Sequence, residues 1–192
     1  MVASLIERDD SLLLVIDAQP GFVRAADDPA GGVMARIAWL AGVAAALHVP
    51  AVATEEDAGR NGPTELAIIE RLPEGTPILD KAVFGLADQP DILAAVAATG
   101  RRTAVLVGME TDVCVAHSAI GLLERGWRVA VVSDATFSPT EMQDHGLRRI
   151  AEAGGIVNHA KGVYYEWVRT LEVARDFQAA HPDLAEPPGF SL

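Results

Sequence analysis

The apolar residues of this chain gather into short runs, and longer alanine-rich or amphipathic stretches stand between them. Leu12-Leu13-Leu14-Val15-Ile16 is a run of strand length that Asp17 stops at once. Thr103 to Val107 and Trp127 to Val132 read the same way. Unbroken runs of this length mark strands covered on both faces. Pro50 to Thr54, Pro77 to Asp80 and Ile156-Val157 read as shorter or weaker strands. Helices are predicted over Met34–Leu47, Thr64–Arg71, Ile92–Ala98, from Val113 to Arg125, Glu141–Ala153 and Tyr164–Ala180. Thr64 caps its helix, and Gly100 and Gly154-Gly155 close theirs. Ala18–Phe22 and Glu55–Pro63 read as loops.

Strands that alternate with helices build βαβ units, and right-handed crossovers wind them in both directions. The predicted fold is a doubly wound α/β domain with a mostly parallel six-stranded sheet. The chain of 192 residues suits one domain over 1–192. Its tail, from Pro182 through Pro187 and Pro188, is expected to be loosely held or packed on a neighbour.

Composition narrows the partners. Half the residues are hydrophobic, enough for a full core. Fifteen basic against twenty-seven acidic residues leave a net charge of −12, which argues against nucleic acid or an anionic membrane as partner. A single cysteine forbids an internal disulfide. No basic stretch followed by an apolar one opens the chain, and no apolar run reaches membrane-spanning length. A soluble, cytoplasmic protein is expected. No glycine-rich fingerprint follows the first strand, and Gly31-Gly32 is not a phosphate loop, so no dinucleotide cofactor is expected.

The chemistry concentrates at strand ends. Cys114 follows the Thr103–Val107 strand and the turn Gly108–Asp112, at the start of a helix. Unpaired amides and the positive end of the helix dipole there favour a thiolate. Asp17 and Lys81 end two other strands. In doubly wound sheets, ligands bind at this carboxyl edge, near the point where strand order reverses. Together the three residues suit acyl transfer: Cys114 as nucleophile, Asp17 as base, Lys81 holding the carboxylate and steadying the thiolate. Backbone amides of the turn before Cys114, with that of Cys114 itself, supply an oxyanion hole. Phe22 and Phe84 follow two of these candidates and are expected to line the pocket; Thr54 and Glu55, at the end of the second strand, are further candidates for substrate contact.

Three segments carry a family resemblance. Leu14-Val15-Ile16-Asp17-Ala18-Gln19 resembles the first motif of the isochorismatase-like cysteine hydrolases. Lys81-Ala82-Val83-Phe84-Gly85 resembles their lysine motif, and Gly108-Met109-Glu110-Thr111-Asp112-Val113-Cys114-Val115 their nucleophile motif. Ser133-Asp134-Ala135 and His145 fit the later pattern, so the likeness runs from about Leu12 to Val157. The resemblance implies an Asp17-Lys81-Cys114 triad on a three-layer α/β/α sandwich, and a homodimer or larger homo-oligomer. It also implies a non-proline cis peptide at Met109-Glu110, which would aim the Glu110 amide at the oxyanion beside that of Cys114. The chain departs from the metal-dependent nicotinamidases. These carry an aspartate and histidines after the second strand, where this chain reads Thr54-Glu55-Glu56-Asp57-Ala58-Gly59-Arg60. No catalytic metal is expected.

The function that follows is hydrolysis of a small amide or related C–N bond through a Cys114 thioester, with a small-molecule substrate and no cofactor. Competing readings are a redox-sensing or non-catalytic binding module, a vinyl ether hydrolase of the isochorismate type, and, more remotely, a phospho-acceptor domain. His117, three residues after Cys114, offers a Cys-His dyad, but a base one turn deeper is hard to aim at the thiol. His145 and His159 are read as structural, Trp39 as core, and Asp112 as a cap whose charge opposes the thiolate unless it points away.

Overall fold

In a computed structural model that describes residues 5–23 and 32–192, six strands form one sheet in the order β3-β2-β1-β4-β5-β6. Met1 to Ser4, and Gly31 of the Gly31-Gly32 pair, lie outside the described residues. The strands are β1 (Ser11–Ile16), β2 (Ala51–Glu56), β3 (Ile78–Lys81), β4 (Thr103–Met109), β5 (Arg128–Phe137) and β6 (Ile156–Asn158). Every pairing is parallel. The chain winds outward from β1 through β2 to β3, then returns to β4 on the other side of β1 and winds outward to β6. The switch point therefore lies between β1 and β4.

The helices α1 (Gly32–Ala46), α2 (Ala58–Asn61), α3 (Leu66–Ile69), α4 (Pro90–Ala98), α5 (Ala116–Glu124), α6 (Met142–Glu152), α7 (Ala160–Val168) and α8 (Leu171–Ala180) complete the layers. The alternating side chains of β1 divide the core. Leu13 and Val15 pack with α1, α7 and Phe177 of α8; Leu12, Leu14 and Ile16 pack with residues of α4, α5 and α6. All of β1 and β4 is buried, the outcome expected for apolar runs at the centre of a parallel sheet.

The structure departs from the sequence reading in several places. β5 runs on to Phe137, past its expected end at Val132, and Thr64 does not cap α3, which follows Glu65 without a side-chain cap. β2 runs on through Glu55 and Glu56, two residues past its expected end. The expected helix over Tyr164–Ala180 is two helices. Arg169 takes a left-handed φ of 64°, and the Thr170 hydroxyl accepts the Val173 amide to start α8. The tail after Pro182 is not loosely held. Leu184 is 4% exposed, its carbonyl accepts the Trp39 indole N–H at 2.8 Å, and the Phe190 ring meets Trp39 edge-on. The reason lies in α1, which is apolar nearly all round: its inner side meets the sheet and its outer side needs a cover. Gly42 leaves room for that cover, since a Cβ there would lie 2.9 Å from Leu184 Cδ2.

Candidate active site

Each candidate side chain is delivered by the end of a strand. Asp17 directly follows β1, with a left-handed φ of 47° and its amide bonded to the Thr54 carbonyl. That turn points its carboxylate across the end of β2 rather than onward along the strand. Lys81 ends β3, in register with Glu56 of β2. Cys114 follows β4 in a π-helical turn, Thr111–Val115, that leads into α5.

The crossing of β1 and β4 is close. Gly108 has φ +117°, and a Cβ there would come within 1.8 Å of the Ile16 carbonyl oxygen. Only glycine fits that approach. The next peptide, Met109-Glu110, is cis.

These elements bring Asp17, Lys81 and Cys114 together. Lys81 Nζ lies 3.0 Å from Asp17 Oδ2, and neither side chain is exposed to solvent. The same nitrogen lies 3.6 Å from Cys114 Sγ and donates to the Val83 carbonyl at 2.6 Å. The Thr54 hydroxyl donates to Asp17 Oδ1 at 2.7 Å, so Thr54, buried, braces the carboxylate.

Burial raises the Asp17 carboxyl above its ordinary value, against the pull of Lys81 and Thr54. Burial works to lower Lys81, but the charges of Asp17, Cys114 and Glu56 outweigh it, and the ammonium is held more firmly than usual. The thiol departs from expectation. Cys114 is 2% exposed; burial, followed by the Asp17 charge, drives its pKa well above the usual thiol range, and Lys81 only partly opposes this. The pull of a helix start is opposed by burial and by the charge of a neighbouring carboxylate. Burial and the Asp17 charge thus work against the thiolate that Lys81 and the helix start favour.

Glu56 is the member that the sequence reading overlooked. Its Oε2 accepts from Cys114 Sγ at 3.3 Å and lies 3.6 Å from Lys81 Nζ. Strand alternation explains this: Thr54 and Glu56 share one face of β2, and Glu55 takes the other, where its Oε1 accepts the Thr64 amide at 2.7 Å. A signal was present, since β2 lies between β1 and β3 and its last residue must stand between Asp17 and Lys81. Asp17, Glu56 and Cys114 each offer a ligand atom within 4.8 Å of the others, the one such trio among the described residues. The Lys81 ammonium already stands in contact with all three.

The turn that carries Cys114 is braced from α6. Gln143 Oε1 accepts the Thr111 hydroxyl at 2.6 Å and the Ser138 amide at 2.9 Å, and its Nε2 donates to the Ser133 and Thr136 carbonyls. Gly146 lets α6 lie against the backbone of Asp112, where a Cβ would come within 2.7 Å. Asp112 accepts from the Ser138 hydroxyl at 2.6 Å. No local pattern in the sequence marks Gln143 for this task.

The remaining candidates lie further out. Phe22 is half-buried against the α1 side of the core. Phe84 is 56% exposed, with its ring centroid 6.2 Å from that of His117. His117 packs there, one turn beyond Cys114, and His159 caps α7 by accepting the Gly162 amide.

Comparison with known proteins agrees with this geometry. The sequence model of the isochorismatase domain matches residues 11–161. The Escherichia coli (strain K12) protein described as probable hydrolase YcaC is 28% identical over 152 residues, 78% of this chain and 73% of the relative. Isochorismatase domain-containing protein 2 of Danio rerio is 28% identical over 177 residues, 92% and 84% of the two chains. Among solved structures, the MAR1 ribonuclease of Caenorhabditis elegans superposes with a TM-score of 0.83 at 27% identity, covering 98% of each chain. YcaC of Pseudomonas aeruginosa superposes with a TM-score of 0.81 at 25% identity, covering 96% of each. Among the described residues, no helix is long and apolar enough to cross a membrane. A family match across most of the chain, over a parallel sheet whose carboxyl edge gathers Asp17, Lys81 and Cys114, places this protein in the isochorismatase family of hydrolases.

Proposed function

We propose that the protein is a cysteine hydrolase that cleaves a small carboxamide or related C–N bond through a Cys114 thioester, without a metal or organic cofactor. The observation that carries this reading is the fully buried Asp17–Lys81 ion pair set against the thiol. Buried charge of this kind is costly to keep unless it does something.

Asp17 takes the thiol proton as Sγ attacks the carbonyl carbon, and passes it to the departing amine. Lys81 keeps Asp17 ionised before the attack and stabilises the sulfur as negative charge grows on it. The amides of Glu110 and Cys114 receive the oxyanion. Water then releases the acid. The positive charge that a metal would bring is supplied by the Lys81 ammonium. In this reading Phe22 and Phe84 wall the pocket, Thr54 acts through Asp17, and Glu55 shapes the loop that borders the substrate.

Two observations favour this over the alternatives. Cys114 is 2% exposed and the chain has no second cysteine to resolve an oxidised one, which weakens the redox-sensor reading. Vinyl ether hydrolysis proceeds by protonation and attack of water and needs no nucleophilic side chain, whereas here the thiol is surrounded by groups that can manage its proton. Relatives point the same way. The P. aeruginosa YcaC structure contains covalent acrylamide, a small electrophilic carboxamide. The E. coli YcaC structure, 25% identical with a TM-score of 0.83, is described as an octameric hydrolase, which supports a homo-oligomer here.

The test is a hydrolysis screen over small amides, carbamoyl compounds and isochorismate. At least one C–N substrate should be turned over by the wild type, resist EDTA treatment and be lost in Cys114→Ala. Turnover that survives in Cys114→Ala would contradict the reading.

A further inference from the structure

Two carboxylates face one thiol, and they stand in different surroundings. Asp17 has no exposed side-chain surface; Thr54 holds Oδ1 at 2.7 Å and Lys81 lies 3.0 Å from Oδ2. Glu56 is 27% exposed, and its Oε2 accepts from Sγ at 3.3 Å. A thioester at Cys114 must be attacked by water that comes from solvent. The Asp17 carboxylate is buried away from that side, while Glu56 stands on it.

The Glu56 backbone is also fixed. Its amide donates to Gln19 Oε1 at 2.8 Å, and its carbonyl accepts from Gln19 Nε2 at 3.2 Å and Asn61 Nδ2 at 2.8 Å. Gln19 is itself fully buried and also reaches the Gly62 carbonyl. A surface glutamate that only solvates a strand end needs no such clamp. One that must meet a water at a set position gains from it.

We propose that Glu56 is the general base of the second half-reaction, with Asp17 serving the first. The proposal rests on the reading of Cys114 as nucleophile. As water attacks the thioester carbon, a C–O bond forms and Glu56 takes the water proton. The C–S bond then breaks, the carboxylic acid leaves, and Glu56 returns the proton to Sγ across the 3.3 Å contact. The products are the acid and the thiol, with no redox change.

p-Nitrophenyl acetate tests the division of labour, because its activated ester acetylates a thiol without help to the leaving group. Wild type, Glu56→Gln, Glu56→Asp and Cys114→Ala are followed by p-nitrophenolate release and intact-protein mass. In Glu56→Gln the stoichiometric burst should keep close to its wild-type rate, while steady-state release falls about 10²-fold. Acetylated protein should then accumulate, and hydroxylamine, a stronger nucleophile than water, should clear it. Glu56→Asp should restore part of the steady-state rate. Glu56 would be merely a charge partner of Lys81 if burst and steady state slowed together, and idle if neither changed; either result overturns the proposal. A wild type with no burst beyond that of Cys114→Ala overturns the nucleophile reading itself, and this proposal falls with it.

Discussion

The amino end of the sheet carries a hollow of about 390 Å³, lined among others by Pro50, Val52, Pro77, Ala98 and Thr99; the carboxyl end carries Asp17, Lys81 and Cys114 in contact. The hollow is open space without charge at its floor: Glu74, its one titratable lining residue, is exposed. At the other end two charges are wholly buried, and close approaches cluster around them: Asp17 at φ 47°, and Gly108 pressed against Ile16. Space alone does not mark the end to which we assign the chemistry. Buried charge held by its neighbours does, because it is the arrangement that folding would otherwise avoid.

The largest effect should come from the crossing that makes the carboxyl end possible. Gly108→Ala places a methyl group into the Ile16 carbonyl at a φ alanine disfavours. A loss of about 3 kcal/mol or more is expected in chemical denaturation. A variant of wild-type stability would mean that the β1–β4 approach is not the constraint described.

Next come the two halves of the ion pair, and they separate by direction. Asp17→Asn should cut turnover by about 10³-fold. It should also make Cys114 react faster with iodoacetamide at pH 8, since the Asp17 charge is one of the causes raising the thiol pKa. Lys81→Met should instead slow alkylation at that pH, because it removes the charge that opposes the rise. It should also cost about 3 kcal/mol by leaving a buried carboxylate unpaired. Parallel shifts in the two alkylation profiles would break the assignment of roles.

A smaller effect concerns pH. In the proposed mechanism Asp17 acts as a carboxylate, and its pKa is raised above 3.8, so turnover should fall with decreasing pH at a value higher than that of an ordinary aspartate. Lys81 is raised above 10.5, so its loss should not limit turnover at mildly alkaline pH. An acid limb below 3.8 in the kcat/KM profile would contradict the burial of Asp17. The smallest effect belongs to the amino end: Glu74→Gln, in the hollow, should leave turnover and stability unchanged. A marked fall in activity would show that the two ends are not divided as described.

Much of the architecture was legible because strands covered on both faces write themselves as unbroken apolar runs. Leu12–Ile16 and Thr103–Val107 became the central strands β1 and β4, and the residues just beyond them became the site. What escaped was set by contacts distant in sequence. β2 reaches Glu56 because its carboxyl end pairs with β3, which a polar Glu-Glu pair does not announce. The helix expected over Tyr164–Ala180 breaks at Arg169, a residue with no evident preference for a left-handed φ. Leu184 is held by Trp39 of α1, far away along the chain. The surroundings of the thiol escaped for a related reason: the start of a helix is visible in a sequence, whereas the burial and charge that oppose its pull belong to the assembled fold.

The most direct test of the central claim is rapid-quench mass spectrometry of the wild type during turnover of its best amide substrate. A mass increase equal to the acyl group, on the peptide that contains Cys114 and formed no more slowly than product appears, is the predicted result. Product that accumulates while Cys114 stays unmodified at every time point, and at the same rate in Cys114→Ala, would contradict it.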